Sequence, residues 1–383
     1  MRDLGLIQDG ALLIRNGVIT SVGPSRRVEN LSEARSAREM DATGRVVMPG
    51  FVDSHTHLVA GPARLAQWEA QAGEAVAPEA WPSSEGPATA GRSWRSLPAS
   101  RLRQQARRRL EALIRLGTTT VEAKSGAGQD ETGELKILRV LAALNEQPLE
   151  VVATCLAGRA IPVEYQGKAD DYLEWMRTHL LPKIRRRRLA RFVDVTCEPG
   201  GLGAGQARSC LESARELGFR LKVHAERAGH DGGARLAVEL GATSADGLEY
   251  ASGDDVRLLA ASPTVATLLP TGGRGDAKCR APARALIDAG GAVALASGFS
   301  PAVSSPGNMQ MVVALACADL GLLAAEAVCA ATINGAHALG LGDRVGSLEA
   351  GKQADVLILA APDYREMAYH FGGNLVAKTL KRG

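Results

Sequence analysis

Eight short apolar runs rich in β-branched residues recur along the chain with helix-length gaps between them, and this alternation narrows the possible folds more than any other feature. The runs are FVDSHTH at 51–57, TTTVEAKSG at 118–126, EVVATCLAG at 150–158, FVDVTCE at 192–198, RLKVHAE at 220–226, ADGLEY at 245–250, TVATLLP at 264–270 and AVALASG at 292–298. Apolar residues at helical spacing fill gaps such as 135–144, 205–217 and 254–261. Strands separated in this way pair in parallel through crossover helices, and eight βα units predict an α/β fold closed into a barrel. An open doubly wound sheet is the alternative. No GxGxxG or GxxxxGK[ST] phosphate loop follows any of the runs, so that fold's usual ligand signature is missing.

Both ends read as antiparallel β structure. Leu12-Leu13-Ile14 and Val18-Ile19 flank Asn16-Gly17, a strong hairpin signal. The tail at 345–359 alternates like a second hairpin and is expected to join the first in a small β domain. Density of Pro and Gly without an apolar period marks 73–100 as a long loop after the first barrel strand, at the end of a barrel that faces ligands.

With 45 Lys and Arg against 42 Asp and Glu, the formal charge of +3 is too small to point to nucleic acid or an anionic membrane, which leaves small molecules as the expected partners. No apolar run approaches the roughly 20 residues of a membrane span, and Met1-Arg2-Asp3 does not open a signal peptide, so a cytoplasmic protein is expected. Six cysteines without a CxxC pair read as reduced thiols rather than a disulfide frame or zinc knuckle. The basic run at 183–188 has no interleaved aromatics and reads as a solvated helix end.

His55-Thr56-His57 carries the strongest chemical signal. Alternate residues of an extended chain face the same way, so a strand ending in HxH can present two imidazoles to one metal. His224 closes another barrel strand in the register of His57 and can add a third nitrogen across the barrel mouth. His179, His230, His337 and His370 fall in helices or loops and read as surface or packing residues.

VVMPGFVDSHTHLV (46–59), VEAKSGAGQDETGELKILRVL (121–141), IPVEYQGKADDYLEWM (161–176), FVDVTCE, KVHAE, LGATSADGLEYAS (240–252) and VGSLEAGKQADVLIL (345–359) together resemble the imidazolonepropionases of the amidohydrolase superfamily. The resemblance covers nearly the whole chain, and Met1 falls after the position of that family's first strand. It implies a distorted (β/α)8 TIM-like barrel at 51–342, with a small β-sandwich domain formed from 1–50 and 343–383. It also implies one Zn or Fe ion on His55, His57 and His224, a substrate carboxylate read by Arg64, and a homodimer. The implied reaction is the hydrolysis of 4-imidazolone-5-propanoate to N-formimino-L-glutamate in histidine degradation.

Several positions depart from that pattern. Where the family reads ATDFNP, this chain reads Ala296-Ser297-Gly298-Phe299-Ser300-Pro301, so the aspartate that binds metal and serves as general base is Gly298. Where it reads ADHLEY, Gly247 stands in place of the catalytic histidine. Arg159 and Ala127 replace a histidine and a tyrosine that contact substrate, and Arg227 stands where Glu or Gln is usual. Asp246, one residue from the vacated position, is expected to point to the opposite face of its strand and so not to substitute. These losses predict a catalytically impaired homologue with metal weakly bound or absent. The alternative is an active metal hydrolase for a different small cyclic amide or acidic substrate, with Arg159 reading a new acidic group.

Overall fold

Asn16 and Gly17 both adopt positive φ, 51° and 79°, the twist that suits a two-residue turn between antiparallel strands. They join β1 (Gly10–Arg15) to β2 (Val18–Pro24), as the Asn-Gly pair predicts. The computed structural model describes residues 1–60, 97–126, 128, 130–145, 148–158, 161–197, 202–227, 229–271, 280–301 and 307–383.

The tail departs from expectation. Within 345–359 only β12 (Val356–Leu359) is a strand, and its antiparallel partners are β3 (Val47–Pro49) on one side and β13 (Val376–Leu380) on the other. Gly346 and Gly351, at φ +92° and +91°, take the preceding segment out of extended geometry. That segment instead runs beside β2, where Val18 bridges Gln353 and Ile19 exchanges backbone bonds with Lys352 and Gly351 at 2.9 and 2.8 Å. The chain ends therefore meet in two antiparallel sheets, one of two strands and one of three.

All eight expected barrel runs form strands. They are β4 (Phe51–Asp53), β5 (Thr118–Lys124), β6 (Glu150–Ala157), β7 (Phe192–Thr196), β8 (Arg220–Ala225), β9 (Ser244–Gly247), β10 (Val265–Leu268) and β11 (Val293–Leu295). They pair in parallel in strict chain order. Every residue of β5 is buried, as parallel strands covered on both faces require. Between β11 and β4 the ladder narrows to the Thr56–Phe299 bridge, with His57 N–H donating to Phe299 O at 2.7 Å. Asp53 reinforces this seam by accepting from Ser297 N–H at 2.9 Å and from the Ser297 hydroxyl.

The expected helices form at Glu131–Ala142, Ala204–Glu216 and Gly253–Ala260. Their starts follow local chemistry. The Asp130 carboxylate caps Gly133 N–H, while Ser252 and Asp255 form a reciprocal capping box. The expected loop at 73–100 falls mostly on 61–96, which lie outside the described residues. Its last two positions are helical, because the helix Ala99–Arg115 begins there and buries Leu102, Ala106, Leu110 and Leu113 along one face. The thiols of Cys155, Cys197 and Cys210 are buried and those of Cys317 and Cys329 half-buried; Cys279 lies outside the described residues. Among the described residues, no helix is long and apolar enough to cross a membrane.

Candidate functional site

Three imidazoles gather at the C-terminal ends of β4 and β8. The rings of His55 and His57 have centroids 5.5 Å apart, and those of His55 and His224 are 5.1 Å apart, both pairs edge to face. His55 and His224 are buried, whereas His57 is half-buried. Burial, helped by Lys124, pushes His55 down to about 4. Burial likewise takes His224 well below the ordinary histidine range, with the neighbouring His55 and Arg227 adding to the effect. Both rings are therefore neutral at pH 7, the state in which an imidazole can ligate a metal. The three histidines singled out from the sequence do come together.

Beside them lies a buried ionic network that the sequence reading did not foresee. Lys124 Nζ sits 2.6 Å from Asp194 Oδ2, 3.0 Å from Glu122 Oε2 and 3.4 Å from Asp246 Oδ2. Lys222 Nζ lies 3.1 Å from Glu122 Oε1 and 3.2 Å from Asp246 Oδ2, and donates to Ser54 O at 2.8 Å. The hydroxyls of Thr154 and Ser244 donate to Glu122 and Asp246, both at 2.6 Å. All five ionic side chains are fully buried. Charges taken out of water each cost several kcal/mol, and only close mutual pairing offsets that. Burial works against ionisation of Glu122, but Lys124 and Lys222 bring it below the usual carboxylate range. Asp194, mostly desolvated, is pushed up to about 6.

Asp246 corrects the strand-parity expectation. It is the register partner of His224, so its carboxylate faces the barrel interior, and its Oδ2 lies 2.7 Å from His55 Nδ1. Parity fails one residue later because Gly247 leaves extended geometry with φ +102° and Leu248 follows at φ +73°. A Cβ built on Gly247 would stand 3.0 Å from Ala225 O, 3.2 Å from Glu249 Oε2 and 3.6 Å from His224 Nε2. Gly247 therefore borders the histidine cluster while its side-chain position is empty.

Gly298 follows β11 with φ +60°, and a Cβ there would meet nothing closer than Leu269 and Thr271 at 3.9 Å. Asp53, two residues before His55, is occupied at the seam by Ser297, and burial raises it to about 6. Ligand atoms of His55, Glu122 and Asp246 come within 4.8 Å of one another, as do those of Glu226, His230 and Asp255. The carboxylates of the first group are already matched by two ammonium groups. In the second, Glu226 accepts from Asp231 and Ala234 N–H, and Asp255 accepts from Ser252 and His230. Arg64, Arg159 and Ala127 lie outside the described residues.

A model of the amidohydrolase family matches residues 46–383. The chain belongs to the amidohydrolase family. Within it, the chain is 41% identical over 394 residues to the imidazolonepropionase of Chloroflexus aggregans, covering 100% of this chain and 92% of that one. It is 40% identical to the imidazolonepropionase of Parabacteroides distasonis, with the same two coverages. Among solved structures, a triazine hydrolase variant superposes with a TM-score of 0.77 at 19% identity, covering 98% of this chain and 89% of that chain, a likeness of fold. The (β/α)8 barrel expected from strand alternation is thus the fold of this amidohydrolase.

Metal dependence is a property of the family, and the donor set here can be tested against it. Open catalytic zinc sites use three protein ligands and leave the fourth position to water. His55, His57 and His224 meet that requirement in residue type, His55 and His224 also in neutral state, and the His55 ring lies 5.5 and 5.1 Å from those of His57 and His224. What the site lacks among its described residues is a carboxylate at 298 and an imidazole at 247.

Proposed function

We propose that this chain is an imidazolonepropionase homologue that retains a three-histidine metal site and a small-molecule pocket but is impaired in hydrolysis. The observation that carries this reading is a pair of glycines, Gly247 bordering the cluster and Gly298 just after β11: both have left-handed backbones and no side chain to accept or deliver a proton. Two of the three carboxylates nearest in sequence are engaged elsewhere. Asp246 is held by two lysines, Ser244 and His55, and Glu226 by two backbone N–H groups.

A bound Zn or Fe ion would supply Lewis-acid polarisation of water and of a substrate carbonyl. His55, His57 and His224 would hold it. Arg64 would meet the acidic group of a ligand, a role supported by the resemblance to imidazolonepropionases, whereas Arg159, which departs from that pattern, would read a new acidic group in the second reading below. Loss of a positioned general base costs about 10²–10⁴-fold in rate, so binding outlasts turnover.

The test is hydrolysis of 4-imidazolone-5-propanoate by the full chain supplied with Zn²⁺ or Fe²⁺, following formation of N-formimino-L-glutamate. Turnover at ordinary enzyme rates of about 1–10³ s⁻¹ overturns the reading; a rate at least a hundredfold below that range supports it. A second reading, an active hydrolase, is favoured by one observation. Glu249 Oε2 approaches to 3.2 Å the point where a Gly247 Cβ would stand, so its carboxylate borders the vacated position. In that case Glu249→Gln abolishes a measurable turnover of some cyclic amide.

A further inference from the structure

We propose that Asp246 is the positioning residue of His55, locking it in the Nδ1–H tautomer so that Nε2 keeps its lone pair for a ligand. Asp246 Oδ2 receives three approaches: Lys222 Nζ at 3.2 Å, Lys124 Nζ at 3.4 Å and His55 Nδ1 at 2.7 Å. Its other oxygen accepts the Ser244 hydroxyl at 2.6 Å. An oxygen facing two ammonium groups carries no proton of its own, so the proton in the short contact to His55 belongs to Nδ1. A neutral imidazole that donates from Nδ1 is bare at Nε2.

The network behind this contact is built to keep it. Glu122 and Lys124 come from β5, Asp194 from β7, Lys222 from β8 and Asp246 from β9. Thr154 on β6 donates to Glu122. Five consecutive strands thus each contribute an inward polar group, and rotation of the Asp246 carboxylate away from His55 would also break its contacts to both lysines. Carboxylates that orient a ligating imidazole in this way influence metal affinity about 10–100-fold. Asp246 acts on the histidine cluster of the proposed function, but the tautomer of His55 is set in the metal-free chain and is read there.

The measurement is a long-range ¹H–¹⁵N correlation of the metal-free full chain with ¹⁵N-labelled histidine, at pH 7, with the His55 signal assigned by its loss in His55→Gln. The expected result is a single tautomer, protonated at Nδ1 and bare at Nε2. A His55 protonated at Nε2, or a mixture of comparable populations, overturns the proposal. Asp246→Asn is then examined by the same spectrum and by Zn²⁺ titration against a chelator. The expected result is a shift towards mixed tautomers with at least tenfold weaker Zn²⁺ binding. A folded Asp246→Asn with the tautomer unchanged also overturns the proposal. If that variant fails to fold, the spectrum of the unaltered chain decides. If the unaltered chain takes up no Zn²⁺, the metal reading of the proposed function fails, and the tautomer still decides the role of Asp246.

Discussion

The two glycines at the site differ in what they would tolerate, and restoring the missing side chains one at a time exposes the difference. At Gly298 the backbone sits at φ +60°, and a Cβ meets Leu269 and Thr271 at an ordinary 3.9 Å. This left-handed well costs an L residue roughly 1–2 kcal/mol, and aspartate is among the residues that enter it most readily. Gly298→Asp should therefore cost the metal-free chain about 1 kcal/mol. At Gly247 the backbone is at φ +102° and a Cβ would press on Ala225 O at 3.0 Å. Gly247→His adds that contact to strain of about 1–3 kcal/mol, so it destabilises more. Metal then separates the variants further. A carboxylate added to three imidazoles should tighten Zn²⁺ at least about tenfold, comparable to the loss seen when orienting groups around a metal are removed. At a free Zn²⁺ concentration one hundred times Kd, the gain is about 2.7 kcal/mol. In a chain of 383 residues this raises the melting temperature by no more than about 2 °C per kcal/mol, or about 5 °C. The assay is thermal unfolding with and without Zn²⁺, paired with chelator competition. A Gly298→Asp chain that binds Zn²⁺ no more tightly than the unaltered one, or that is destabilised as much as Gly247→His, refutes the reasoning.

Other expectations address the framework. Lys222→Met leaves Glu122 and Asp246 short of one buried countercharge and should cost about 3–5 kcal/mol, measured by urea unfolding; a cost below 1 kcal/mol would mean the network is dispensable. Gly50→Ala places a Cβ 2.2 Å from Thr119 Oγ1, so it should destabilise by about 1–3 kcal/mol and be partly rescued by Thr119→Ala, whereas additive effects would contradict this. Burial opposes ionisation of Glu326, but its bonds to Arg284, Leu323 N–H and Arg2 lower it to about 2. A carboxylate depressed in the folded state adds stability above its unfolded value, and that contribution fades as pH falls from about 4.5 towards 2. The stability gap between the unaltered chain and Glu326→Gln should accordingly be full at pH 7 and close across that window; a gap constant with pH would exclude the linkage.

The barrel was legible because its strands are short, β-branched and evenly spaced, a pattern set by burial on both faces that needs no knowledge of partners. The histidines were legible for the same reason: His55, His57 and His224 end such strands, where side chains of a barrel face the mouth. Asp246 was misjudged because a parity argument assumes unbroken extension, and positive φ at Gly247 and Leu248 ends it. The ionic network left a signal that could have been followed. Glu122 and Lys124 stand two apart inside one apolar run and Lys222 and His224 two apart inside another, so each pair faces one way on a strand that has no solvent face. Which carboxylate meets which lysine depends on register across five strands, and no local pattern records that. The tail was misread because alternation at 345–355 came from packing beside β2 rather than from a hairpin.

The seam between β11 and β4 has a consequence for how this barrel relates to its metal. The resemblance to imidazolonepropionases implies an ion shared between histidines on the first barrel strand and a carboxylate after the last, a cofactor that would double as a clasp across the joint. Gly298 offers no side chain to such a clasp, and the contacts seen across the joint are the Thr56–Phe299 bridge, the His57–Phe299 backbone bond and the two donations from Ser297 to Asp53. Closure of this joint then does not depend on the ion. A chelator is then expected to strip an ion from the histidines without parting this joint, so the mouth of the barrel can lose or change its chemistry while the barrel stays shut.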